Sequence, residues 1–172
     1  MRMTSVLDRM TRSMVAGLLA GLFAAGGFLA WRVVKPPAVV TGTARVIDGD
    51  SLEVGGHEIR LAGIDAPEFR QTCLGARGQE PCGRQARDAL VRMVGTGRLD
   101  CTIVDRDRYD RDVALCRRDG RDVNGDMVRA GHAVAYGRYE SEEAEARSER
   151  RGVWATRFER PADWRARHPR ND

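Results

Sequence analysis

Apolar and polar positions alternate along Ser51–Val54, and residues 58–64 resume extended structure, with Gly55-Gly56 between the two runs. A period of two is what a half-buried strand requires, and a glycine pair between two such runs predicts a hairpin. Val46-Ile47 leads into the first run through Asp48-Gly49-Asp50, a turn former whose glycine has positive φ open to it. Pro67 stops the second run, because it has no N–H to offer a ladder. Over residues 83–95 the period changes. Ala86, Ala89, Leu90, Met93 and Val94 fall at i, i+3, i+4, i+7 and i+8, one stripe of a helix that Gly95 and Gly97 end. Residues 99–104 and 112–116 read as strands flanking a charged turn, and symmetry about Arg108-Tyr109 pairs Val104 with Val113 and Cys101 with Cys116. Residues 122–130 predict a second helix with Val123, Met127 and Val128 inward and Gly131 as its stop. After a short apolar run at 133–136, Ser141 is placed to cap a third helix with a solvated face. Its acids (Glu142, Glu143, Glu145) precede its bases (Arg147, Arg150, Arg151), and Glu143 and Arg147 form an i, i+4 pair. Trp154 reads as a core plug, and residues from 157 onward, with little period, as a surface tail. The fold class expected is α+β, mainly β: a five-stranded, partly open Greek-key barrel of the oligonucleotide-binding (OB) kind with three helices.

The N-terminus departs from this pattern. Arg2, Arg9 and Arg12 precede residues 14–31, which carry no charge, and Trp31-Arg32 and Lys35-Pro36-Pro37 follow. This predicts a basic segment over 1–13, a transmembrane or signal-anchor helix over 14–31 and a linker over 32–40. The domain then spans 41–156 and the tail 157–172. An uncleaved anchor is favoured over a cleaved signal. The location expected is the cell envelope, anchored to the inner membrane with the domain facing the periplasm or exterior, or else secretion after cleavage. Residues 1–35 contain five of the basic residues against Asp8 alone and so account for the whole net charge of +4. The domain itself is neutral, so net charge says nothing about a nucleic-acid footprint on it. The four cysteines (Cys73, Cys82, Cys101, Cys116) include no C-x-x-C, and the three histidines (His57, His132, His168) are scattered, so zinc is not expected. A bridge across neighbouring strands would join Cys101 to Cys116, and another would close the loop between Cys73 and Cys82. Two buried free thiols at 101 and 116 are the alternative.

Candidate chemistry concentrates in residues 46–68, which hold Asp48, Asp50, Asp65, Glu68 and Arg60. The hairpin returns its second strand beside the first, so Asp50 and Asp65 can meet. Two converging carboxylates with a third nearby suit a hard cation such as Ca²⁺ or Mg²⁺. Each piece alone is unremarkable: Asp-Gly-Asp is usually a turn, and an arginine in a strand or at a hairpin tip usually faces solvent.

Together the pieces say more. Residues 47–51 (I-D-G-D-S), 60–68 (R-L-A-G-I-D-A-P-E), 107–111 (D-R-Y-D-R), 119–124 (D-G-R-D-V-N) and 150–154 (R-R-G-V-W) resemble, in order and spacing, the thermonuclease or staphylococcal-nuclease-like family over roughly residues 41–156. That resemblance implies a Ca²⁺-dependent, largely sequence-nonspecific nuclease that cuts DNA and/or RNA to 3′-phosphate products. It implies Asp50, Asp65 and the main-chain oxygen of Ala66 as Ca²⁺ ligands, with Asp48 behind them. Arg60 and Arg111 match the two catalytic arginines, and Glu68 the acid assigned to the attacking water. Arg108, Tyr109 and Tyr136 match substrate-binding positions. Two departures stand out: Ser51 replaces threonine, and Asp110 replaces the usual glycine, where it is expected to pair with Arg108 or Arg111. The partners expected are a nucleic-acid substrate and, through residues 14–31, a membrane, with the protein a monomer. A rival reading keeps the fold as a nucleic-acid-binding module without turnover. The presence of Arg60, Glu68, Arg111 and both acids favours the enzyme.

Overall fold

The computed structural model describes residues 36–169, and the N-terminal stretch read as a membrane segment lies outside them. The first described element is β1 (Val39–Val46), which takes in two residues of the stretch read as linker. Then come β2 (Ser51–Val54), β3 (His57–Leu61) and the short β4 (Ile64–Asp65). A small hairpin of β5 (Cys73–Gly75) and β6 (Gly78–Glu80) precedes α1 (Cys82–Val94). The long hairpin of β7 (Arg98–Arg106) and β8 (Asp112–Arg118) follows. The remaining elements are β9 (Arg121–Asp122), α2 (Val123–Arg129), β10 (Val134–Ala135), α3 (Glu140–Ser148), a 3₁₀ turn (Gly152–Ala155) and α4 (Pro161–Arg167).

The strand order is β3-β2-β1-β7-β8-β9, and β3 also pairs with β8. All neighbours are antiparallel except that closing pair, in which Ile59, Arg60 and Leu61 run parallel to Asp112, Val113 and Ala114. Five strands thus close into a mixed OB-type barrel. Leu52, Val54, Ile59, Leu61 and Leu99 fill it, and the α1 stripe of Ala86, Ala89, Leu90 and Val94 is buried in the same core with Met127 and Val128 of α2. Asn124, fully buried in α2, donates from Nδ2 to the carbonyls of Ala62 (2.9 Å) and Ala114 (3.0 Å) and accepts from the Cys116 N–H (3.0 Å). One amide thereby joins three backbone groups where β3 ends beside β8, the Ala114 carbonyl also accepting the Ala62 N–H at 2.8 Å.

Several expectations need correction. Four α-helices, not three, occur among the described residues, because residues read as a tail fold into α4. Among those residues no helix is long and apolar enough to cross a membrane; the transmembrane anchor inferred over 14–31 lies outside them, and it, the membrane partner and the inner-membrane location get no support from the structure and are not carried further. Cys101 does face Cys116, but a bulge between Ile103 and Asp105 shifts the register, so Asp105 and not Val104 opposes Val113. A bulge inserts one unpaired residue and bends the strand, and no symmetric count from the turn can foresee it. The cap of α3 is Tyr139 in the left-handed region (φ 68°), while Ser141 lies inside the first turn and donates to Glu142. Nor is α3 simply solvated. Glu143 is buried and accepts from the Ala135 N–H, Arg147 and Arg160.

Both disulfides are formed. Cys101–Cys116 joins directly opposed residues of β7 and β8, and Cys73–Cys82 ties the β5–β6 hairpin to the start of α1. Cys73 and Cys82 pack with Val153, Trp154 and Phe158 in a second apolar cluster, where Arg147 lies over the Trp154 ring at 4.3 Å. Alkylation of the unfolded, unreduced protein is expected to label no cysteine. Replacing Cys73 and Cys82 together by serine should cost roughly 2–3 kcal/mol in denaturant unfolding, the loop-closure entropy of a short loop. Labelling of all four thiols would contradict the bridges.

Candidate active site

The site is built by close backbone approach. Gly49 is not in the left-handed region that its turn suggested; its requirement is space, since a Cβ there would lie 2.7 Å from the Ala66 Cβ. The turn therefore sits hard against the strand carrying Asp65. The Asp48 Oδ1 accepts the Asp50 N–H (3.1 Å), and the Leu61 N–H donates to the Asp50 carbonyl (2.8 Å). On the far side, a Cβ at Gly83 would meet the Glu68 carbonyl oxygen at 1.8 Å, so the start of α1 fixes the Glu68 loop. Gln71, fully buried, accepts the Glu68 N–H from its side chain (3.2 Å) and gives its Nε2 hydrogen to the Glu159 carbonyl (2.7 Å).

Asp50 and Asp65 are both buried and meet as the hairpin geometry requires. The Asp50 carboxylate accepts from the Ser51 hydroxyl (3.1 Å) and the Ala66 N–H (3.2 Å). One guanidinium nitrogen of Arg60, on β3 opposite Ser51, lies 3.2 Å from Asp65 Oδ1 and 3.6 Å from Asp50 Oδ2. Arg111 reaches the same face from the β7–β8 hairpin, its Nη1 donating to the Ser51 Oγ at 3.5 Å. Both arginines therefore border the Asp50–Ser51 pair, Arg60 at Asp50 and Arg111 at Ser51. Burial, joined by the neighbouring charges of Asp48 and Asp65, pushes the Asp50 carboxyl up to about 7 against the pull of Arg60 and the Ala66 N–H. The pull of Arg60 does not offset that burial.

Two residues that the sequence did not single out complete the arrangement. Asp107 receives the Arg111 Nε (2.8 Å) and Nη2 (2.7 Å) on one oxygen, and the backbone N–H groups of Tyr109 (2.9 Å) and Arg111 (3.0 Å) on the other. Burial works against its charge, but those bonds outweigh it and hold the carboxyl below its usual range. Arg165 of α4 grips Asp65 with two parallel bonds (2.9 and 3.0 Å) and Glu68 with a third (2.9 Å). The order Pro161, Asp163, Arg165, Arg167 offers a helix signal: proline in the first turn, acid before base.

Other expected site residues are more peripheral. Arg108 stacks on the Tyr109 ring (4.9 Å), which is 65% exposed, and the Arg111 guanidinium lies 5.6 Å from the same ring. Tyr136, 71% exposed, follows β10, and its N–H bonds to the Gly63 carbonyl beside the Asp65 strand. Ala66 engages Asp50 through its N–H. Asp110 adopts φ 65° and pairs with Arg106 (2.8 Å), not with Arg108 or Arg111, so it leaves Arg111 to Asp107.

As a donor set for Ca²⁺ the acids fit in kind: hard carboxylate oxygens, one of them short of positive charge. Among the described residues no three His, Cys, Asp or Glu side chains gather into a metal-holding group. Asp65 and Glu68 are turned onto Arg165.

Known proteins resemble this chain over most of the described residues. A family model described as staphylococcal nuclease homologue matches residues 58–156. The chain is 39% identical over 123 residues to the succinoglycan biosynthesis protein ExoI of Rhizobium meliloti (strain 1021), across 67% of this chain and 64% of that one. It is 35% identical over 124 residues to the probable staphylococcal-like nuclease CAN1 of Oryza sativa subsp. japonica, across 68% of this chain and 35% of that one. It is also 36% identical over 122 residues to an uncharacterized endonuclease of Escherichia coli O157:H7, across 64% of this chain and 74% of that one. The match thus spans less than two thirds of the Rhizobium and rice proteins.

The raised Asp50 carboxyl has a consequence for stability. A carboxyl held at about 7 in the fold, against 3.8 ordinarily, binds its proton more tightly folded than unfolded. Stability is then highest below the ordinary value and falls as pH rises towards 7. In chelator, Asp50→Asn should remove that decline and melt above wild type at pH 8. Parallel pH profiles for the two proteins would contradict the assignment.

Proposed function

The chain belongs to the staphylococcal nuclease homologue family, and from that premise we propose that it is a Ca²⁺-dependent, largely sequence-nonspecific nuclease that hydrolyses DNA and/or RNA to 3′-phosphate products. Membership alone carries a nuclease-type, phosphodiester-hydrolysing activity in general. The observation that supports the finer reading is that Arg60 and Arg111, from separate hairpins, both reach the Asp50–Ser51 pair beside the buried Asp65. The unit we propose to carry the activity is residues 41–156 together with α4.

Attack of water on the phosphorus, with departure of the 5′ oxygen, builds negative charge on the non-bridging oxygens. Groups fixed before the reaction, and stronger towards that charge than towards the substrate, lower the barrier. A guanidinium donates two hydrogen bonds in a rigid fork, so Arg60 and Arg111 can clamp two faces of one phosphate. Asp107 pre-sets Arg111 through its Nε and Nη2, leaving Nη1 directed at the Ser51 side. Glu68 orients the water and accepts its proton, and the leaving 5′ oxygen takes a proton to end as a hydroxyl. Asp50 and Asp65, with the Ala66 carbonyl, would hold Ca²⁺, and Asp48 braces Asp50 through its N–H. When bound, the ion supplies electrophilic charge at the phosphate. Tyr109 and Tyr136 offer exposed rings for bases to stack on, and Arg108 a cation for the backbone.

Arg60→Ala, Arg111→Ala and Glu68→Gln should each lower kcat on single-stranded DNA by roughly 10²-fold or more while the fold melts near wild type. Asp107→Asn should fall between these and wild type, because it loosens Arg111 without removing it. Wild-type rates for Arg60→Ala would break the assignment. Binding without cleavage by the wild-type protein would make it a nucleic-acid-binding module.

A further inference from the structure

The carboxylates read above as cation ligand and water-holder already have a cation on them, and it comes from the end of the chain. Arg165 takes both oxygens of Asp65 and one of Glu68. A planar fork on a carboxylate is the strongest pairing a side chain can make there, and it uses lone pairs that an ion would need. Asp65 is buried, so without Arg165 its carboxylate would keep, among the described residues, only the single Arg60 nitrogen at 3.2 Å. The element delivering Arg165 is lightly attached. Helix α4 spans Pro161–Arg167, buries only Pro161, stacks Trp164 on its own His168 (4.3 Å) and pairs Arg167 with Glu159 just before it. Segments with so little buried surface open at low cost.

We propose that Arg165 is a resident cation of this site. Helix α4 closes the site in the cation-free protein, and Ca²⁺ and Arg165 exclude one another at Asp65 and Glu68. The inference rests on the reading of Asp50 and Asp65 as Ca²⁺ ligands. Its energetic content is a linkage: the ion's apparent affinity is reduced by the fraction of molecules in which α4 is docked, and bound ion releases α4. Release of Arg165 also takes its bond off Glu68 and exposes a third guanidinium beside the two proposed for the phosphate.

The test uses the full chain and Ca²⁺ alone. Calorimetric titration of wild type, Arg165→Gln and Asp50→Asn is paired with hydrogen exchange of residues 161–168 in the wild type. Arg165→Gln is expected to bind Ca²⁺ about tenfold or more tightly than wild type, as loss of a charged hydrogen-bonded competitor implies. Exchange over 161–168 in the wild type should accelerate when Ca²⁺ is added. A merely structural arginine would lower the melting temperature without tightening Ca²⁺ binding, so equal affinities in wild type and Arg165→Gln overturn the proposal and leave the Ca²⁺ reading standing. No Ca²⁺ heat in any of the three proteins removes the Ca²⁺ reading, and this inference with it. Should Arg165→Gln fail to fold, the exchange result decides alone, and unchanged protection of α4 overturns the proposal.

Discussion

Two carboxylates buried side by side cannot both stay charged without a cation, because water no longer screens them. Asp50 and Asp65 are in that position, and the surrounding structure is organised around it. Arg60 stands between them from β3, and Arg165 covers the outer side of Asp65 from α4. Asp50, with only hydrogen bonds from Ser51 and Ala66 and a more distant Arg60, remains the unsatisfied one. An arrangement optimised for stability would replace such groups with apolar ones. Its presence argues for a task that needs concentrated negative charge facing concentrated positive charge.

The barrel makes that arrangement affordable. Closure of β3 onto β8 places Arg60 beside Val113 and so beside the base of the hairpin that carries Arg111. Asn124 and the Cys101–Cys116 bridge tie that hairpin down, so the two arginines come from separate elements of one rigid frame. The exposed tip, with Arg108 and Tyr109, is left for contacts that must adapt. Rigid charge at the centre and adaptable aromatic and basic groups at the rim suit a substrate with a constant backbone and variable bases.

Local chemistry was legible in the sequence where it is enforced locally. The alternation around Gly55-Gly56 gave β2 and β3, and with them the meeting of Asp50 and Asp65. The i, i+3, i+4 stripe gave α1. What escaped depends on contacts distant along the chain. The bulge at Val104 is invisible to a symmetric hairpin count, Gly49 serves close approach rather than backbone freedom, and Glu143 is buried by Ala135 and Arg160 from other elements. Arg165 is the largest omission. Its segment has weak hydrophobic period, and its partners lie about a hundred residues earlier. No window along the sequence shows that a guanidinium there meets Asp65.

The function proposed makes this cluster of acids and arginines one phosphodiesterase centre that works with a hard cation. The most direct measurement digests single-stranded DNA with the purified chain, in Ca²⁺ or in excess chelator, and reads the ends of the products. Cleavage in Ca²⁺ that the chelator abolishes, with 3′-phosphate and 5′-hydroxyl ends, is the result expected. Cleavage that persists in chelator, or products ending in 3′-hydroxyls, would contradict it.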